Sequence, residues 1–423
     1  MRTIVLDDDP TGTQSATGVA VLLDASPHAL LAALRTSERV YVQTNSRALP
    51  EREAVRLVTT IRDAGRRVGE SLGEPVRFVM RGDSTLRGHV FAETDVFSTV
   101  SSVMLFVPAF PAGGRTTRDG VHLVRTSGVD VPAGLTEYAS DPVFGYTSSK
   151  LADYVAEKGE RAAVHVGLES LRDTDGAALT DALTEAPPGA VIVPDAVTDD
   201  DIAYIGRGLE KAWADRDVVV RCAAPLAATC AGVLSTALLT QPIRRRPGPI
   251  LLVCGSHVSG STEQLGRLAH DLGARVHTVP TEEALADPDG AGRRLASLAA
   301  ATLAADGLAV IASERERKQE HRTLEHGERV MRALSSAARE LAGGVSAVVT
   351  KGGITSAEVI RTGIGAGSAW VRGQVLPGIS VWDLDGPAGP TPCVVVPGNV
   401  GDAGTLVSIA QGALAHGAGH PPW

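Results

Sequence analysis

The chain has 423 residues, 43% hydrophobic and 21% charged, with a formal net charge of −9. That length suits two or three domains with sizeable cores, and the composition suits a soluble globular enzyme. The acidic balance argues against a general nucleic-acid binder, whose footprint is basic. No apolar run reaches membrane-span length, and Met1 to Leu6 reads as a strand rather than a signal peptide. Cys222, Cys230, Cys254 and Cys393 have no metal-ligand spacing and are expected to be reduced thiols in a cytoplasmic protein.

Ile4, Val5 and Leu6 form a first strand that runs into Asp7, Asp8 and Asp9, and Pro10-Thr11-Gly12 turns the chain. Acidic residues at the carboxyl end of such a strand stand where open α/β sheets bind ligands. They could bind hydroxyls, hold a hydrated Mg²⁺ or act as a base, or they form a solvated acidic turn. Val40 to Val42 make a second strand, followed by Asn45, Ser46 and Arg47, and an amphipathic helix begins at Pro50 and Glu51. Arg47 would suit a carboxylate substrate, though alone it reads equally as a surface arginine. Phe78 to Met80 end another strand, and Asp83, Ser84, Thr85, Leu86 and Arg87 follow in a loop bracketed by Gly82 and Gly88. Arg87 offers a fork for a carboxylate, Ser84 and Thr85 offer hydroxyls, and Asp83 can accept from sugar hydroxyls. The mixture suits a small polyhydroxy acid, and Asp83 or Ser84 could also cap a helix.

Arg115 to Val124 reads as a hairpin turning near Asp119 and Gly120, with Arg115 reaching a pocket and His122 structural. Alternating strands and helices follow: a helix from about Ser149, a strand at Ala190 to Val193, an acidic loop at Asp199 to Asp201, then a strand and an Ala-rich helix. That order indicates a mostly parallel sheet. Gln241 to Pro249 is polar and Pro-rich and reads as a linker. It separates residues 1–240, an acid-sugar domain, from 250–423, a phosphate-loop domain. The expected fold is α/β with two domains, each a mostly parallel sheet flanked by helices, and the active site in the cleft between them.

Three strand–glycine loop–helix units mark the last part of the chain. The first ends a strand at Cys254 and continues with Gly255 and Ser256. The second ends near Val349 and continues with Lys351, Gly352, Gly353 and Ile354, with Thr355 and Ser356 capping a helix from about Ala357 to Arg361. The third ends near Val396 and continues with Gly398, Asn399 and Gly401. Such loops expose backbone N–H groups at a helix N-terminus, where the dipole favours anions. Their convergence at the carboxyl ends of one sheet points to a polyphosphate, most simply ATP, although each could be an ordinary βα turn. Lys351, one of five lysines, would be a point charge for phosphate at the loop mouth. His321, Glu325 and His326 mimic a metal cluster but read better as a solvated loop. Asp383 and Asp385, on a short β excursion, are secondary Mg²⁺ candidates. No Walker-type G-x-x-x-x-G-K-[ST], no G-x-G-x-x-G after a strand and no protein-kinase H-R-D or D-F-G pattern occurs.

DDDPTGTQ, DSTLRGH, PAFPAGGRTTRDGVH, GSHVSGSTEQL, KGGITS and VVVPGNVGD together resemble the four-carbon acid sugar kinase family, in family order from Asp7 to about Gly401. The resemblance implies ATP-dependent phosphorylation of an acid such as erythronate, threonate or 3-oxo-tetronate, with Mg²⁺ screening the triphosphate. It implies that Asp8, Arg47 and Asp83 to Arg87 carry the acid, and that Ser256, Gly352 to Thr355 and Gly398 carry ATP. The sequence departs from the family pattern in its DDDPTGTQ start and in Met80-Arg81-Gly82, where many members have lysines before DSTLRG. On this reading Asp8, with Asp83 as second choice, accepts the hydroxyl proton. Arg47 and Arg87 anchor the carboxylate, and Lys351 and Asn399 join the nucleotide loops. Metal ligands are unassigned and a homodimer is left open. An NAD-type sugar-acid oxidoreductase and a non-catalytic nucleotide-responsive binding protein are the alternatives.

Overall fold

The computed structural model describes residues 1–126, 128–316, 324–387 and 389–415. The chain divides into two compact units, Met1–Leu234 and Ser235–Trp423. The first unit contains β1 (Arg2–Asp7), β2 (Val19–Leu22), β3 (Arg39–Gln43), β4 (Val76–Arg81), β5 (Val103–Val107), β6 (Arg115–Arg118), β7 (Val121–Thr126), β8 (Val129–Pro132), β9 (Ala163–Val166), β10 (Val191–Pro194) and β11 (Val218–Cys222). Its main sheet runs β2-β3-β1-β4-β11-β5-β10-β9, and every pairing in it is parallel. A parallel sheet buried on both faces needs near-continuous apolar strands, and Ile4-Val5-Leu6 and Val103 to Val107 supply them. Chain order reverses at β1: β2 and β3 lie on one side of it and β4 on the other. That is the topological switch point, where the carboxyl ends of neighbouring strands part to leave room for a ligand. A separate antiparallel sheet, β6-β7-β8, contains the hairpin expected around Asp119 and Gly120.

The second unit contains β12 (Ile250–Cys254), β13 (Val276–Val279), β14 (Leu308–Ser313), β15 (Ala347–Lys351), β16 (Ser368–Leu376), β17 (Ile379–Gly386) and β18 (Gly389–Val396). Within the unit the order is β13-β14-β12-β15-β18-β17-β16. It is parallel as far as β18 and antiparallel beyond. The expected short β excursion is therefore two full strands that widen the sheet. Chain order reverses between β12 and β15, again beside the loops that follow them. The core packs Leu252, Val310, Val349, Val394, Leu406 and Ile409 between sheet and helices.

Two local expectations are corrected. Asp199 to Asp201 form the first turn of helix Asp199–Ala212, not a loop, and Thr198 and Asp201 close a capping box. The helix after β15 starts at Gly353, not near Ala357, so Thr355 and Ser356 lie inside it and do not cap it. Gly352, at φ 111°, turns the chain sharply enough for the helix to begin on the next residue. That helix, Gly353–Glu358, continues as a π-helical turn over Val359–Ile364. No helix among the described residues is long and apolar enough to cross a membrane.

Candidate active site

In the first unit the loop after β4 is held along its backbone by side chains from distant elements. The carbonyl of Ser84 accepts from His122 Nε2 at 2.8 Å, that of Thr85 from the Tyr146 hydroxyl at 2.8 Å, and that of Leu86 from the Tyr154 hydroxyl at 2.7 Å. A carbonyl can only accept, so His122 carries its proton on Nε2, and its Nδ1 accepts from the Thr117 hydroxyl at 3.1 Å. Burial keeps this ring neutral, with its pKa pushed down to about 4. The loop amide of Gly82 donates to Cys222 O at 2.8 Å. So constrained, Leu86 takes a positive φ of 67°, costly for a branched residue. Its side chain is buried in the core cluster that also holds Phe106, Tyr146 and Tyr154, so only its backbone belongs to the loop surface.

Asp83 is the loop's polar hub. Its Oδ2 accepts from Arg87 Nε at 2.8 Å and from the Thr85 hydroxyl, and Arg47 Nη1 lies 3.4 Å away. Burial raises its pKa, but Arg87 and Arg47 outweigh burial and hold the carboxyl well below the usual carboxylate range. Arg47 also pairs with Asp9, while its buried Nη1 has no hydrogen-bond acceptor among the described residues. Arg87 Nη1 stands 3.7 Å from Asp141. Arg115, buried, donates to Gly113 O and lies within electrostatic reach of Asp83 and Arg87. The structure thus gathers Arg47, Asp83, Ser84, Thr85, Arg87 and Arg115 around one loop. The buried Arg47 Nη1, with no hydrogen-bond acceptor among the described residues, stands beside a fixed carboxylate, an arrangement that suits a small anion carrying hydroxyls.

The three aspartates after β1 are buried and shared among arginines. Arg81 Nη1 reaches Asp7 at 3.1 Å, Asp8 at 3.3 Å and Asp9 at 3.2 Å. Arg221 Nη2 takes the other oxygen of Asp8 at 2.9 Å. A solvated acidic turn is excluded, since Asp8 is only 1% exposed. Both oxygens of Asp8, the expected base, are engaged. Arg81, Arg221 and Glu93 were not legible as site residues, because they become neighbours only through strand register and burial. Asp7 behaves differently. Burial pushes its carboxyl up, Arg81 pulls it down and Asp8 pushes it up again, leaving it raised to about 7.

In the second unit the three glycine loops stand side by side at the carboxyl ends of β12, β15 and β18. Gly352 N donates to Val396 O at 2.9 Å. Ser261 Oγ donates to Ser256 Oγ at 2.8 Å and to Gly398 O at 3.2 Å. A Cβ on Gly398 would stand 2.8 Å from Ser256 Oγ, and one on Gly352 would stand 2.9 Å from Ser256 Cβ. Ser256, Gly353, Gly398 and Asn399 are partly exposed, Ile354 is exposed and Thr355 is buried. Lys351 is not at the loop mouth. It is fully buried, and its ammonium donates to Pro397 O at 2.8 Å and Val400 O at 3.1 Å. It braces the third loop from below, and burial lowers its pKa to about 8.

The metal candidates do not assemble. Among the described residues no group of three or more His, Cys, Asp or Glu side chains is placed to hold an ion. His321 lies outside the described residues, Glu325 and His326 begin helix Leu324–Leu341, and Asp383 is engaged by Arg245 at 2.5 Å. All four cysteines are free.

A family model described as a sugar-binding N-terminal domain matches residues 3–230, and one described as a nucleotide-binding C-terminal domain matches residues 251–406. A D-threonate kinase of Bordetella bronchiseptica is 30% identical over 417 residues, 94% of this chain and 91% of the relative. The chain belongs to the four-carbon acid sugar kinase family. A second member, a D-threonate kinase of Salmonella typhimurium, is 30% identical over 308 residues, 70% of this chain and 67% of the relative. The fold is also that of two crystal structures. One is of a Salmonella typhimurium protein described as a tRNA synthase, with TM-score 0.68, 19% identity and coverage of 96% of this chain and 98% of that one. The other is of a Haemophilus influenzae protein, with TM-score 0.62, 17% identity and coverage of 97% and 100%. Both likenesses concern the fold alone.

The raised Asp7 pKa has a measurable consequence. Between the unfolded value of 3.8 and the folded value of about 7, the folded state binds the extra proton, so Asp7 makes stability fall as pH rises through that window. His122 titrates there with the opposite sign, so the difference between wild type and Asp7→Asn is the readout. Urea midpoints at pH 5 and pH 7.5 should show Asp7→Asn gaining on wild type by ~2–3 kcal/mol on going to the higher pH. Parallel pH profiles for the two proteins would contradict the assignment.

Proposed function

We propose that this family member transfers the γ-phosphoryl group of ATP to a hydroxyl of a four-carbon sugar acid of the threonate, erythronate or 3-oxo-tetronate type. The observation that carries the reading is the grouping of Arg47, Arg87 and Arg115 around the fixed loop Asp83–Arg87. An arginine fork matches a carboxylate with two parallel hydrogen bonds, and Asp83, held ionised, accepts from a substrate hydroxyl. The names of the two D-threonate kinase relatives support the acid class.

The nucleotide belongs to the loops of Ser256, Gly352 to Thr355, and Gly398 with Asn399. Their small residues let phosphate oxygens approach backbone N–H groups at helix starts. The description of the C-terminal family model supports that half. Lys351 would act by shaping the third loop and not by touching phosphate. Mg²⁺ would be carried by phosphate oxygens and water, since no cage of carboxylates for it occurs among the described residues. It would neutralise charge on the triphosphate.

What the chain's own residues do is mostly placement. Phosphoryl transfer needs little covalent help, and its rate comes from positioning and electrostatics. Asp83 is too weak a base to hold the hydroxyl proton, so its part is orientation. Asp8 is the proposed proton acceptor, with Arg81 and Arg221 fixing its direction. We expect ADP release from MgATP with at least one member of a panel of C4 sugar acids and their 3-oxo forms. Silence across the panel with ATP binding intact would contradict the acid class. Asp8→Asn should keep ATP affinity and lower turnover at least ~100-fold, and a near-normal rate would remove Asp8 from the reaction.

A further inference from the structure

Arg221 lies at the carboxyl end of β11, more than a hundred residues from either element it joins, and is 2% exposed. Its Nη2 donates to Asp8 Oδ2 at 2.9 Å, and its Nη1 to Glu93 Oε2 at 2.6 Å on helix Val90–Asp95. The same guanidinium lies directly under both glycines that bracket the acid loop. A Cβ on Gly82 would stand 2.4 Å from Arg221 Nε, and a Cβ on Gly88 would stand 3.1 Å from Arg221 Nη2 and 3.2 Å from Asp8 Oδ2. The next residue, Cys222, accepts the Gly82 amide. One side chain therefore meets both ends of the loop, the aspartate after β1 and the helix that follows.

We propose that Arg221 is a positioning residue that sets the acid-binding loop Gly82–Gly88 in register with Asp8. The two glycines are small because the guanidinium occupies the space under them. A lysine could not do the same, since one ammonium on a flexible stem cannot meet two carboxylates in a fixed plane. Removing Arg221 leaves Glu93 and Asp8 each short of a donor, and Glu93 Oε1 already has no hydrogen-bond partner among the described residues. The loop would then be held by its carbonyl clamps and by the Gly82–Cys222 backbone bond, with the space under both glycines left empty and the Gly88 end without that support.

The proposal rests on the kinase reading for its kinetic arm only. The variants are Arg221→Gln and the double variant Arg221→Gln with Glu93→Gln, which removes the buried charge left without a partner and keeps the test alive if the single variant does not fold. In the folded variant KM for the sugar acid should rise at least ~10-fold while KM for ATP stays within about twofold. Hydrogen exchange of the amides of residues 83–88 should speed up by at least ~10-fold. A merely structural role would lower the melting temperature without separating the two KM values. The proposal is overturned if acid KM and loop exchange match wild type, or if both KM values rise together. If the wild type phosphorylates no acid, the kinase reading fails, and loop exchange still decides the role of Arg221.

Discussion

The loop proposed to take the acid depends on the clamping of three successive carbonyls. His122, Tyr146 and Tyr154 come from a hairpin strand, a loop and a helix, and they take the oxygens of Ser84, Thr85 and Leu86 in turn. A loop carrying a positive-φ leucine and an aspartate ringed by arginines would relax if its backbone were free. Because these oxygens are satisfied from behind, Asp83 and Arg87 are held in place beside Arg47, and a ligand need not supply the ordering entropy. The neutrality of His122 is part of this. Its ring must donate through one nitrogen and accept through the other, which a buried imidazole does only when uncharged.

The two units use the same topological device for the different recognition tasks proposed for them. Each parallel sheet reverses chain order beside a central strand, β1 in the first unit and β12 in the second. In the first unit the strand ends and loops there carry charged side chains: three aspartates, and the arginines that share them. In the second the loops themselves are mostly glycine, serine and backbone, with Arg315 donating to Ser256 O at 2.6 Å from just past the end of β14. A small acid with hydroxyls is read by side-chain forks, whereas a polyphosphate is read by N–H groups and helix dipoles. The contrast between the loops is the physical basis for assigning acid and nucleotide to different halves.

Contiguous features were legible in the sequence. The Asp7 to Asp9 turn, the Asp83 to Arg87 loop and the three glycine loops each follow an apolar strand, and period and punctuation identify them. Features set by register and burial were not. Arg81 reads as the residue after a strand that ends at Met80, yet it is the last residue of β4 and reaches all three aspartates. Arg221 sits within an apolar run and becomes a neighbour of Asp8 only when β11 pairs beside β4. Lys351 was misread because a lysine beside two glycines suggests a phosphate ligand, while its position as the last residue of a buried strand directs it beneath the loops. Thr355 and Ser356 were misread as caps because the sharp turn at Gly352 lets the helix start earlier.

The central claim is that the arginine-ringed loop takes the acid and the glycine loops take the triphosphate. A crystal structure with D-threonate and a non-hydrolysable ATP analogue tests it most directly. The account predicts the acid's carboxylate on Arg47, Arg87 or Arg115, a hydroxyl on Asp83, and phosphate oxygens on the backbone at Ser256, Gly353 and Gly398. Phosphates on the arginine cluster, or the acid among the glycine loops, would contradict it.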